Sequence, residues 1–249
     1  MAAPTRSKNG ISTADNPGSP LWSMPNPDPT RLVSFFEDFC SGATTFPIAT
    51  TGLAAASAGG WTITVTEAGA GDAASAFSGE TGGALTLTCD AADNDNIFVQ
   101  KKPAAFTLAA GKKAFFKARF KVSDATQSDF VIGLQVIDTT PLAVTDGIYF
   151  QKDDGDAQLD VYCQKDASTG QTSATNIATI ADNTYLTVGW YYDGVSSVRY
   201  YVNDVHKGTL DGSSTYLPDT VLAVSFGIQN GEAVAKVMTV DYIIAAVER

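Results

Sequence analysis

The side chains able to do chemistry in this chain are few and scattered. Cleaving a glycosidic bond with retention needs two carboxyl groups about 5 Å apart on one face. The chain has five glutamates, Glu37, Glu67, Glu80, Glu232 and Glu248, and no two are near neighbours in sequence. Glu37 and Asp38 are adjacent, so on a strand they point to opposite faces. Gln158-Leu159-Asp160 has the spacing of a same-face pair, with an amide in place of one acid. His206 is the single histidine, so a Ser-His-Asp triad would have to use it. Asp204 lies two residues before it, but no Gly-x-Ser-x-Gly nucleophile elbow occurs. Gly69-Ala70-Gly71-Asp72 is neither a phosphate-binding loop nor a dinucleotide fingerprint. The expectation is a protein that is not an enzyme and uses no cofactor.

Two loops are rich in oxygen donors. Asp90, Asp93 and Asp95 share one with Asn94 and Asn96; Asp153, Asp154 and Asp156 share the other. Loops of this composition can hold calcium, yet neither has the order of an EF-hand, and Asp, Asn and Gly are also what turns are made of. No metal centre is assigned from sequence; Asp90, Asp93 and Asp95 are the calcium candidates. Cys40, Cys89 and Cys163 are odd in number and widely spaced, unlike a disulfide framework or a zinc site, and are expected to be unpaired thiols.

Such groups must be positioned by strands. Tyr185 to His206 reads as strand, turn, strand: Leu186, Val188, Trp190 and Tyr192 alternate with Thr187, Gly189 and Tyr191. Asp193-Gly194 then supplies a tight turn, and Val198, Tyr200 and Val202 resume the alternation. The same period of two recurs at Arg31–Phe39, Trp61–Glu67, Ala84–Cys89 and Lys113–Val122, with a short strand from Ile97 to Lys101. In Lys113–Val122, Phe116, Ala118, Phe120 and Val122 oppose Phe115, Lys117, Arg119 and Lys121, a strand with one wet face. Phe130–Ile137 is apolar on both faces and should be central. Asp146–Gln151, Gln158–Gln164, Thr175–Ile180, Thr220–Gln229 and Ala235–Ala246 complete about a dozen strands with no helix. Ser41–Gly60 and the Gly/Ala-rich stretch up to Gly83 read as loops. This pattern predicts an all-β, two-sheet antiparallel jelly-roll sandwich over residues 32–249. Its expected core includes Trp61, Ile63, Leu85, Leu87, Phe116, Phe120, Leu134, Trp190, Phe226 and Ile228.

Residues 1–31 differ. They contain six of the ten prolines and no apolar periodicity. They read as an extended arm, because proline cannot donate to a sheet or continue a helix. Leu21, Trp22 and Met24 are large apolar groups that a solvated tail does not need. They are the expected contacts to a partner chain. A net charge of −11 argues against nucleic acid and anionic membrane as partners. The N-terminal MAAPTRSKNG lacks the apolar stretch of a secretory signal, which points to folding in a cytosol.

Trp190, Asp193-Gly194 and the strand ending Tyr201-Val202-Asn203 resemble the concanavalin-A-like lectin/glucanase sandwich in its laminin-G-like form. Asp204 stands where that pattern usually has glycine. The resemblance runs from about Val33 to Val247. It implies the fold rather than the function, since lectins, hydrolases, adhesion modules and virion proteins share it. The hydrolases of that group carry Glu-x-Asp-x-Glu or Glu-x-Asp-x-x-Glu, which is missing here. The proline-rich arm, low charge and Ala/Thr/Gly-rich body are also similar to auxiliary head proteins of tailed bacteriophages. That likeness implies a capsid decoration (cement) protein on the virion surface. Its partners would be the major capsid protein and further copies of itself, a homo-oligomer with a trimer first. The alternative is a carbohydrate-binding or adhesive module recognising host surface glycans.

Overall fold

The computed structural model describes residues 30–40, 54–58, 60–68, 71–78, 82–167 and 170–249. Among them no α-helix occurs; seventeen strands form two antiparallel sheets. The eight-stranded sheet holds β1 (Leu32–Glu37), β4 (Ala74–Ser78), β5 (Ala84–Thr88), β8 (Ala114–Val122), β13 (Leu186–Tyr192), β14 (Ser197–Val202), β15 (Val205–Asp211) and β17 (Val237–Glu248). Its order is β15-β14-β13-β8-β17-β5-β4, with β1 also paired to β17. The nine-stranded sheet holds β2 (Ala54–Ala58), β3 (Trp61–Thr66), β6 (Asn96–Lys101), β7 (Phe106–Thr107), β9 (Ser128–Gln135), β10 (Gly147–Lys152), β11 (Gln158–Lys165), β12 (Gly170–Thr179) and β16 (Val221–Asn230). Its order is β12-β11-β10-β9-β16-β6-β3-β2, with β7 beside β16. This is the jelly-roll sandwich that the alternating pattern predicts.

All ten expected core residues are buried, Trp61 the most exposed of them at 5%. The reason is register. Trp190 faces Phe116 across β13 and β8, and their rings stack at 6.2 Å. Trp190 also donates its Nε1–H to the Ile148 carbonyl of the opposite sheet at 3.1 Å. The hairpin between β13 and β14 turns on Asp193, whose Oδ1 accepts the amides of Val195, Ser196 and Ser197, while Gly194 takes a φ of +82°. At the next turn, Asn203 and Asp204 both take positive φ, 50° and 61°. Asp204 thus adopts the left-handed backbone that a glycine would occupy. Its carboxylate pairs with Lys117 at 2.7 Å.

The strand count exceeds the sequence reading. β2 and β4 fall in stretches read as loops, and each ends the strand order of one sheet. Ala-Ala-Ala-Ser-Ala and Ala-Ser-Ala-Phe-Ser carry little of the β-branched and aromatic signal by which strands are recognised; pairing with β3 and β5 makes them strands. The first strand starts at Leu32. Residues 1–29, with Leu21, Trp22 and Met24, lie outside the described residues.

Candidate functional site

The outer face of the nine-stranded sheet carries a row of amides. Val161 and Cys163 of β11 point into the core, which turns Asp160, Tyr162 and Gln164 outward. By the same alternation Tyr149 and Gln151 of β10, Gln135 of β9 and Gln100 of β6 face outward too. The segment from Val136 to Asp146 straps across this face, and the amides fasten it. Gln100 donates to the Val136 carbonyl at 3.2 Å, Gln135 to that of Pro141 at 3.0 Å and Gln164 to that of Val144 at 2.7 Å. The Tyr149 and Tyr162 rings stack beside them at 5.4 Å. Burial pushes the Tyr162 hydroxyl up to about 12, and raises that of Tyr149 further.

The two carboxylates on this face are Asp129 and Asp160. Asp160 sits opposite Gln151, which sits opposite Val131, two residues beyond Asp129. That register places them two strands apart, about 10 Å across and 7 Å along the sheet at the level of the backbone. Each is already used. Asp129 accepts the Asp154 amide at 2.6 Å and Gln229 Nε2 at 3.3 Å, and burial raises its pKa. Asp160 accepts the Asn176 amide at 2.8 Å and the Tyr162 hydroxyl at 3.2 Å. His206 lies on β15 of the other sheet, its ring 5.3 Å from that of Tyr201.

The loop of Asp90, Asp93 and Asp95 is a structural knot. Asp95 is fully buried and accepts the amides of Ala68 at 2.7 Å and Ala92 at 3.2 Å. Asn230 Nδ2 donates to the carbonyls of Asp90 and Ala92, tying the loop to β16, while Asp93 stays exposed. These three carboxylates do not converge. Among the described residues, three acidic side chains with ligand atoms within 4.8 Å of one another are found elsewhere: Asp146, Asp166 and Asp219. Asp146 immediately precedes β10, Asp166 follows β11, and Asp219 lies in the turn before β16. The backbone at Asp166 and Ala167 is left-handed (φ 52° and 62°), and the Ala167 amide donates to the Thr145 carbonyl at 2.8 Å, drawing the two segments together.

Asp146 is 3% exposed, and its Oδ1 has no hydrogen-bond partner. Lys165 neutralises one neighbour, bonding Asp219 Oδ2 at 2.6 Å, and that bond is the main cause of its raised pKa. Two further carboxylates thus lie close to the buried, unsatisfied oxygen of Asp146. Hard oxygen donors in this arrangement fit a divalent cation such as calcium, with water completing the shell. The sequence reading missed this set. Its members are separated by 20 and 53 residues, and each looks like an ordinary turn residue. Cys40 is exposed and Cys89 and Cys163 are buried, all three as free thiols.

No family model matches the chain, and no curated protein matches it. Solved structures do. An endo-1,3-β-glucanase from Streptomyces sioyaensis aligns over 90% of this chain and 99% of its own, with 15% identity and a TM-score of 0.60. A glycoside hydrolase family 16 endo-glucanase from Bacteroides ovatus aligns over 85% and 99%, with 15% identity and a TM-score of 0.55. A protein of unknown function from Shewanella oneidensis aligns over 88% and 87%, with 13% identity and a TM-score of 0.55. The chain therefore has the concanavalin-like β-sandwich fold that its hairpin resembles. At these identities the likeness concerns the fold alone.

Proposed function

We propose that the protein is a non-enzymatic structural protein of a bacteriophage virion, a capsid decoration protein that binds the major capsid protein and further copies of itself. The observation that carries the non-enzymatic part is the state of Asp129 and Asp160. The two outward carboxylates lie two strands apart and are bound by backbone amides and neighbouring side chains, so neither is placed to share a scissile bond with the other. The virion assignment rests on the proline-rich sequence of residues 1–31, with Leu21, Trp22 and Met24 as apolar groups for a partner chain. The test is cryo-electron microscopy of any particle from which the protein purifies, paired with co-sedimentation of full-length and residue 31–249 protein with empty particles. Density on the capsid lattice and loss of attachment on truncation are expected. Absence from the lattice, or unchanged attachment, overturns the proposal.

A second reading, an adhesive module for host glycans, has its own support. The half-buried Tyr162 ring, stacked on the buried Tyr149 and near the half-buried Gln151, offers ring and hydrogen-bonding surface for a sugar, and the Asp146 cluster lies at the end of the same strands. The similar structures include glucan-cleaving enzymes. Binding to a glycan array that disappears on chelation would favour this reading over the first.

A further inference from the structure

Three aspartates are buried among the described residues: Asp95, Asp129 and Asp146. Two of them have both carboxylate oxygens occupied. Asp95 accepts the amides of Ala68 and Ala92, one on each oxygen, and Asp129 accepts the Asp154 amide and Gln229 Nε2 in the same way. Asp146 differs, because its Oδ1 is buried and accepts no hydrogen bond. A buried carboxylate oxygen without a partner costs stability unless something else coordinates it. What stands next to it is more oxygen. Asp146, Asp166 and Asp219 each bring one ligand atom to within 4.8 Å of the other two. Oxygens sharing a calcium ion, each about 2.3–2.6 Å from it, stand up to about 5 Å apart, so one ion reaches all three with small movements of the two exposed side chains. Magnesium, at about 2.0–2.1 Å and in a near-ideal octahedron, fits a set on three separate segments less readily.

The three ligands belong to segments that meet only in the folded chain. Asp146 ends the strap over the outer face of the nine-stranded sheet, and Asp166 leaves the end of β11. Asp219 lies in the crossover, residues 212–220, that leads from β15 of one sheet to β16 of the other. Local bonds already draw these segments together. The Ala167 amide donates to the Thr145 carbonyl at 2.8 Å, Cys163 Sγ to the Tyr216 carbonyl at 3.4 Å, and Lys165 Nζ bonds Asp219 Oδ2 at 2.6 Å. Asp146 forms the buried floor of the cluster. The exposed Asp166 and Asp219 form a mouth open to solvent, through which an ion enters and water completes its shell.

We propose that Asp146, Asp166 and Asp219 hold one calcium ion, which clamps the strap and the crossover to the end of β11. The ion supplies the partner that Asp146 Oδ1 lacks. The unfolded chain holds these residues 20 and 53 positions apart and cannot assemble the site, so binding adds to folding stability. Lys165 opposes the ion, because its ammonium bonds one of the three ligands and repels a cation beside it. The clamp does not depend on the virion reading. It is measured on the protein alone, so its failure leaves attachment to particles untouched.

The test is calorimetric titration of the full chain, stripped with EDTA, with calcium chloride and separately with magnesium chloride. One calcium per chain is expected, with a Kd between about 10 µM and 1 mM, and magnesium weaker by about tenfold or more. Calcium at about 100 times Kd should raise Tm by roughly 5–11 °C and slow amide exchange in residues 136–146 and 212–220 together. Asp146→Asn should abolish binding. Asp166→Asn, at an exposed position, should weaken it by about tenfold or more, and serves alone if Asp146→Asn does not fold. Lys165→Met should tighten binding by about threefold or more, which a merely structural Lys165–Asp219 pair would not do. Asp93→Asn, in the loop of clustered acids, should change nothing. The site is overturned by no binding up to about 10 mM calcium, by affinity unchanged in Asp146→Asn or Asp166→Asn, or by magnesium bound as tightly. Binding lost in Asp93→Asn or weakened in Lys165→Met overturns it equally.

Discussion

Trp190 gives a sharp test of what holds the two sheets in register. It is wholly buried, stacks on Phe116, and sends its Nε1–H across the sandwich to the Ile148 carbonyl. Trp190→Phe keeps an aromatic ring on β13 but cannot make the cross-sheet bond. The bond is worth about 0.5–1.5 kcal/mol net. The two ring carbons also lost from a fully buried site add about 1.6 kcal/mol, at ~0.8 kcal/mol per buried carbon. The sum is about 2–3 kcal/mol, which at ~2–4 °C per kcal/mol for a chain of this size lowers Tm by roughly 4–12 °C. Phe116→Leu, which breaks the ring stack and leaves the bond in place, is the control. Urea unfolding followed by far-UV circular dichroism measures both. An unchanged urea slope with a shifted midpoint marks a change in stability rather than in the unfolded state. A loss below about 0.5 kcal/mol for Trp190→Phe would refute the claim that this indole ties the sheets.

Calcium titration followed by terbium luminescence should reveal one site, and Asp146→Asn should abolish it. Because the Asp146 carboxylate is buried beside two others, the same change should leave the metal-free protein as stable as before or more so; a large loss of metal-free stability would contradict the charge argument. Asp124 tests pH dependence. Burial acts to raise its carboxyl, but the Gln127 and Thr126 amides and the Lys236 ammonium outweigh it and hold the group down to about 2. Its contribution is thus full above the ordinary value near 3.8 and lost as pH falls toward about 2. The stability gap between wild type and Asp124→Asn should therefore narrow between pH 5 and 2, and a constant gap would show the network irrelevant. Maleimide should label one thiol, Cys40, in the folded protein and all three after unfolding, since burial pushes the Cys163 thiol up to about 12 and raises Cys89 as well. Even Cys40 should react slowly, its thiol raised by the bond to Asp38. Rapid labelling of Cys163 would mean that the Tyr216 segment, whose carbonyl its thiol contacts, opens readily.

The body of the fold was legible because burial forces side chains into a period of two. The strands with large or β-branched residues on one face, β3, β5, β8, β13, β14 and β16, were all found from that period, and their inward residues are the core. β2 and β4 were not, for the same reason in reverse. An edge strand of mostly alanine and serine carries few β-branched or aromatic residues, and only its pairing with the next strand along the chain identifies it. The turn at Asn203-Asp204 shows a second limit. The familiar glycine is missing, yet the left-handed backbone is kept, because asparagine and aspartate tolerate it and Asp204 gains Lys117 as a partner.

Acidic side chains were the hardest to read, and the reason is physical. Along a loop, closely spaced aspartates are as useful for accepting backbone amides as for holding a cation. Asp95, Asp193 and Asp124 each accept two or more such amides, so the density of Asp and Asn in a loop reports turn geometry first. A cation centre needs the opposite: carboxylates whose oxygens are left over after local bonds are made. Asp146 is such a group, and its neighbours arrive from β11 and from the turn before β16 only when the sheet is assembled. A search for clustered acids in the sequence therefore selects against an arrangement of this kind. The useful signal is a buried carboxylate with an unsatisfied oxygen, and that exists only in three dimensions.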